Sequence, residues 1–192
     1  MQTMKDLLTK FFMNQCKNNE FENEFDLQFE LACYLRQELS NYTVKIEKRC
    51  NNKQPVNSGS TVKSRIDIHI KDNAGSESFG IELKYPTKQQ YPEQMFKSIM
   101  DIEFMEQLMK RADRPITKGF CIALISDPLF YEGKNTKPNS IYEYFRCQKP
   151  IHGIILKPTG NKECSIKIDG TYTIEWESIK DTKKFYILEI NA

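Results

Sequence analysis

No stretch of this 192-residue chain stays apolar for the roughly 18 residues that a membrane-spanning helix needs. The segment Met1 to Asn14 lacks the basic start, long apolar core and small-residue cleavage site of a secretory signal, and it is amphipathic instead. Together these absences predict a cytoplasmic protein with no membrane partner. Cysteine is present but never in a C-x-x-C pair: Cys16, Cys33, Cys50, Cys121, Cys147 and Cys164 are dispersed. That spacing excludes the familiar zinc-finger patterns and predicts free thiols in or near the core. A charge excess of either sign is also missing. The net charge is only +2, which does not advertise a nucleic-acid binder, although a local basic groove can be offset by acids elsewhere. Internal repeats and low-complexity segments are absent.

What is there reads as a folded chain, with 28% charged and 39% hydrophobic residues. The length suits a single domain with a full core. Within residues 1–192 the expected parts are an N-terminal helix in 1–20, a core in 21–128 and a β-rich extension in 129–192. Met4, Leu7, Leu8, Phe11 and Phe12 recur at helical spacing. A second helix is predicted over Phe21 to Leu39, with Phe21, Phe25, Ala32, Leu35 and Leu39 in one stripe, widened by Leu27, Leu31 and Tyr34. Glu24 and Gln28 border that stripe one turn apart. Asn41 to Arg49 alternates as a first strand, and residues 50–61 read as a loop. Pro92 to Ala112 has the apolar pattern of a long helix packed on a sheet, with Glu93, Lys97, Asp101 and Gln107 expected off the buried face. Thr117 to Ser126 is a continuous apolar run, the mark of a central strand covered on both faces. Strand, long helix, strand implies a parallel pair. Ser140 to Cys147 reads as one or two helical turns. Strands are then expected over 151–156, 164–168, 171–176 and 185–190, with turns at Pro158-Thr159-Gly160 and Asp169-Gly170.

Two runs between these elements carry the chemistry. Ser64 to Ile70 (SRIDIHI) and Phe79 to Tyr85 (FGIELKY) both alternate with period two, and Asp72 to Glu77 between them is turn-forming. A hairpin follows, with Ser64, Ile66, Ile68 and Ile70 on one face of the first strand and Lys63, Arg65, Asp67 and His69 on the other. Asp67 and Glu82 lie equally far from the midpoint between Ala74 and Gly75, so a symmetric hairpin sets them opposite each other. Facing carboxylates repel, and a cation between them removes the conflict. Lys84 points the same way. The alternative is a wet-faced hairpin in which Lys84 simply pairs with Asp67 or Glu82.

The order of elements, a helix with Glu24, a strand with Asp67, a strand with Glu82-Leu83-Lys84, a long helix and a buried strand, resembles the PD-(D/E)XK nuclease superfamily. Ile66 stands where the family name has proline. Asn23 to Gln28, Asp101-Ile102, Leu124 to Pro128 with Tyr131, and a β-rich tail with Tyr172 and Trp176 resemble an uncharacterised branch of it. The resemblance implies an α/β, restriction-endonuclease-like fold: a mixed central β-sheet flanked by helices, with the β-rich C-terminal extension. It implies a metal-dependent endonuclease that hydrolyses DNA phosphodiester bonds in a restriction or repair setting, with Mg²⁺ as cofactor and Mn²⁺ as its substitute. Asp67, Glu82, Lys84 and Glu24 (or Glu30 in its place) would be catalytic. Asp67, Glu82 and the Leu83 carbonyl would hold the metal, and Lys84 would orient or deprotonate a water. A hard cation on carboxylates suits that chemistry.

Gln28, Glu47 and His69 are expected in support. Lys63, Arg65, Lys88 and Lys97, with Lys134, are candidates for phosphate contact, and Tyr85 and Tyr131 for base stacking. DNA is the implied partner, and a homodimer is a further expectation. The competing readings are an inactive nucleic-acid-binding module of the same fold and a protein–protein adaptor using the tail around Tyr172 and Trp176.

Overall fold

Thr3 starts the first helix. Its hydroxyl accepts from the Asp6 amide while the Asp6 carboxylate accepts from the Thr3 amide, which closes a capping box on α1 (Met4–Asn14). The computed structural model describes residues 3–50, 63–86, 90–133, 136–160 and 164–191. The expected loop over 51–61, and Lys88 and Lys134, lie outside the described residues. Asn23 caps α2 (Glu24–Glu38) by accepting from the Asp26 amide, so this helix begins three residues later than its apolar pattern suggests. Leu27, Leu31, Ala32 and Leu35 are buried as expected. Phe25 is not: it is 56% exposed, because the buried face of α2 turns through Gln28 instead.

Six strands form one mixed sheet in the order β1 (Tyr42–Arg49), β2 (Arg65–Asp72), β3 (Ser78–Lys84), β4 (Lys118–Ile125), β8 (Lys183–Ile190) and β7 (Glu177–Lys180). β3 and β4 are parallel, joined across α3 (Tyr91–Lys110), and every other pair is antiparallel. Helices α1 and α2 cover one face, packing on Ile68, Ile81, Leu83, Ile122 and Phe185. Helix α3 covers the other, on Cys121, Ala123, Tyr186 and Leu188. The β4 run is buried on both sides, as its unbroken hydrophobicity predicts. A short helix α4 (Tyr142–Arg146) and a two-stranded sheet of β5 (Ile151–Leu156) and β6 (Ser165–Tyr172) lie on the α3 side. Among the described residues no helix is long and apolar enough to cross a membrane.

The tail departs from the expected strands. Asp169-Gly170 lies inside β6 rather than at a turn, and residues 173–176 belong to no strand. The reason is two buried acids on α3. Glu106 accepts from the amides of Asp169 and Gly170 and from the Tyr172 hydroxyl, and Glu103 accepts from the Lys167 amide. These carboxylates do for the outer edge of β6 what a neighbouring strand would do. Tyr172 is thus committed inward. Trp176 is too, with its indole donating to the Phe145 carbonyl and its ring against Tyr131 and Tyr186. Tyr131 is buried with its hydroxyl on the Thr182 carbonyl, so it offers no face for base stacking.

Helix α3 sits close to the sheet because of two glycines. Gly80 on β3 and Gly119 on β4 are partners in register. A Cβ on Gly119 would lie 3.1 Å from the Met105 Cβ, and one on Gly80 3.1 Å from the Met105 Cε. Both contacts are tighter than packed side chains tolerate without movement. Asp101 precedes Met105 by four residues, about 6 Å along the helix. Glu82 follows Gly80 by two, about 6.6 Å along the strand. The notch therefore sets Asp101 over Glu82.

Candidate active site

The hairpin register runs Ile68↔Ile81, His69↔Gly80 and Ile70↔Phe79, the symmetric pairing that brings Asp67 level with Glu82. The ladder stops at Ile68↔Ile81, one step short of the acids. There the Asp67 carboxylate takes the Leu83 amide at 2.8 Å, and the Gln28 side-chain amide donates to the Asp67 carbonyl. Side chains thus satisfy backbone groups where strand pairing ends.

The alternation of β2 breaks at the same point. Ile68 and Ile70 belong to the α2-side core, whereas Ile66 belongs to the α3-side core, so the expected common face of Ser64 to Ile70 is divided at Asp67. On β1 the matching position is Glu47, which adopts a left-handed φ of 50°. That conformation is uncommon for a non-glycine residue and marks local strain. Pairing resumes beyond it at Lys48↔Ile66. Glu47 accepts from Gln28 at 3.4 Å and pairs with Arg65 at 3.3 Å.

Four acids and two lysines meet at the ends of β3 and α2. Lys84 Nζ is 2.9 Å from Asp101, 3.7 Å from Glu24 and 2.9 Å from the Leu83 carbonyl. Lys63 Nζ bridges Asp101, at 2.8 Å, and Glu82. Glu24 also accepts from the Tyr85 amide at 3.1 Å, tying the first turn of α2 to the end of β3. Asp101 is the member that periodicity misplaces. It was expected off the buried face of α3, yet it is 4% exposed and central to the cluster. Helix α3 is buried on so many sides, including Ser98, Glu103 and Glu106, that an apolar stripe cannot say which polar residue faces inward.

The other expected residues divide. Lys63 points into the cluster instead of outward to phosphates. Arg65 is taken up by Glu47. Lys97 is exposed on α3 and reaches none of the acids. Glu30 is exposed. His69 is buried with Nε2 3.0 Å from the Pro115 carbonyl, away from the acids it was expected to support. The Leu83 carbonyl, expected as a metal ligand, receives the Lys84 ammonium.

Burial is the largest influence on Glu82 and raises its pKa well above the ordinary 4.5. Lys63 and Lys84 oppose this, and Asp67 and Asp101 add to it. Burial would raise Asp101 as well, but Lys63 and Lys84 outweigh it and hold that carboxyl below the ordinary range. Burial raises Glu24, against Lys84 and the Tyr85 amide. For Lys84 burial favours the neutral amine, yet Asp101 and Glu24 win and the pKa is raised. Lys84 is therefore held as an ammonium near neutral pH.

A pH prediction follows for Glu82. The folded chain keeps a proton there that the unfolded chain has lost above about 4.5. Stability from this group is full below 4.5 and falls as pH rises toward the folded value, with a slope of at most about 1.4 kcal/mol per pH unit. In metal-free buffer Glu82→Gln should flatten that limb of the melting-temperature profile. An unchanged slope would assign it to other groups.

Among the described residues no three His, Cys, Asp or Glu side chains stand close enough together to hold a metal ion. Lys63 occupies the space between Glu82 and Asp101. Even so, Glu82 Oε1 is buried with no hydrogen-bond partner among the described residues. Comparison with protein-family models, curated proteins and solved structures found no match, so the site is read from its own geometry.

Proposed function

We propose that this chain is a metal-dependent deoxyribonuclease, an endonuclease of the PD-(D/E)XK kind that its sequence resembles, working with Mg²⁺ or Mn²⁺. The observation that carries the reading is Glu82 Oε1. A fully buried carboxylate oxygen without a partner costs free energy until one arrives, and this one lies beside Asp67 and Asp101. Oxygen donors of this kind fit a hard divalent cation. Asp67, Glu82 and Asp101 would hold it once the Lys63 ammonium moves aside and the three carboxylates draw together on the ion. Bound there, it supplies an acidified water and charge stabilisation at a phosphate. Lys84, fixed by Asp101 and Glu24, places a permanent positive charge for the same phosphate. Glu24, with its raised pKa, is a carboxyl able to take up a proton at the rim. Gln28 holds the strand that presents Asp67.

The closed network itself favours a second reading. Lys63 and Lys84 already compensate Glu82 and Asp101, as a binding module without turnover would need. Purified protein incubated with plasmid, single-stranded DNA and RNA, with Mg²⁺, Mn²⁺ or EDTA, separates the two. The nuclease reading expects DNA cleavage that EDTA stops. Intact DNA under all conditions, with salt-dependent binding, supports the module.

A further inference from the structure

A second concavity runs along the α3-side face of β1 and β2, lined at one end by Ile66 and by Cys50, whose thiol feels the charge of Glu82. Its volume is about 960 Å³. Lys45, Lys48, Arg49, Lys71 and Arg114 line it, and all five are exposed. Among the described residues none of the five forms an ion pair, unlike exposed Lys10, Lys110 and Lys118, each of which has a carboxylate partner. Two acids also line it, and both are occupied: Asp113 is paired with Arg111 at 2.8 Å, and Asp72 accepts from Ser76 and the Glu77 amide.

The phase break at Glu47 shapes this surface. Thr43 and Lys45 face the groove before it and Lys48 after it, so Glu47 itself does not line the groove. A regular strand would have put Glu47 in that position. The floor holds His69, which is buried with Nε2 3.0 Å from the Pro115 carbonyl.

Five unpaired cations repel one another and attract a polyanion. From Thr43 to Arg49 the face spans about 20 Å, at roughly 3.3 Å per residue. DNA rises about 3.4 Å per base pair along its axis, so the face is about as long as six base-pair steps. We propose that this groove is a track for a nucleic-acid backbone leading to the carboxylate cluster. Its direction rests on the nuclease reading, but the binding itself can be measured apart from any turnover.

The test uses the full chain in EDTA with a labelled DNA duplex, measuring affinity across a salt series. The wild type should give a log–log slope near −4.5 for five phosphate contacts. The triple variant Lys45→Gln/Lys48→Gln/Arg114→Gln should lose about 2.7 from that slope and bind about a hundredfold more weakly at 0.15 M salt. The control Lys5→Gln/Lys17→Gln/Lys137→Gln, with equal charge loss elsewhere, should change binding little. Equal losses in the two triple variants, or none in either, overturn the track. Polyglutamate of matched charge competing as well as DNA overturns the nucleic-acid assignment. Hydrolysis of bis(4-nitrophenyl) phosphate with Mg²⁺ reports on the carboxylates alone. If no protein hydrolyses it while the groove variant still loses binding, the track stands and the nuclease reading falls.

Discussion

Asp67→Asn should lower Mg²⁺-dependent DNA cleavage by about a hundred- to a thousandfold, the scale seen when one preorganised electrostatic group is lost from an active site. Asparagine is the informative replacement. Its side-chain oxygen still accepts from the Leu83 amide, which Asp67 holds at 2.8 Å, and the Gln28 contact goes to a backbone carbonyl that the substitution keeps. The fold should therefore melt within about 1 kcal/mol of wild type. Alanine would leave the Leu83 N–H unsatisfied, for a further cost of about 1–3 kcal/mol. Lys84→Ala is a poorer test, because it strips Asp101 and Glu24 of their shared cation and destabilises the chain as well as the chemistry. Cleavage kinetics and thermal melts on the same Asp67→Asn preparation decide the point. Full activity would remove Asp67 from the proposed metal set.

Lys63→Met should have two opposite effects. Without metal, Glu82 and Asp101 lose the ammonium that bridges them, and breaking a buried ion pair in this way costs about 3–5 kcal/mol. The 30% exposure of the Lys63 side chain puts this case at the lower end. With metal, the same two acids are free to bind it. Saturation at a hundred times Kd restores about 2.7 kcal/mol. The melting temperature of Lys63→Met should thus rise steeply with Mg²⁺ or Mn²⁺, and by more than in wild type, where the lysine competes. Titration calorimetry should show tighter metal binding in the variant. A variant that loses stability and gains no metal response would mark the cluster as a purely structural ion-pair network.

Much of the frame was readable from residue order. The period-two runs, the turn composition and the symmetry of Asp67 and Glu82 about Ala74–Gly75 led to the observed register, and the unbroken apolar run 118–125 to a central strand. These signals work because register and burial are set locally along a strand. What was missed depends on depth and on tertiary partners. Phe25 fits a helical stripe but faces water. Asp101, Glu103 and Glu106 look like solvated acids and are buried, because the amides of β6 and the ammoniums of Lys63 and Lys84 come from far along the chain. Lys63 reads as a surface cation for the same reason. The left-handed conformation at Glu47 has no composition signal, since nothing in the run Val44 to Arg49 calls for it.

The glycine notch beneath Met105 gives the protein a means of adjusting its acids from a distance. How deeply α3 settles into Gly80 and Gly119 fixes the separation of Asp101 from Glu82, so a methyl group added there would move the two acids apart without changing which residues line the proposed metal site. Under the metal-dependent reading, cation preference would then drift through hydrophobic packing, and a search for variants that favour a larger ion should begin at Gly80, Met105 and Ile116.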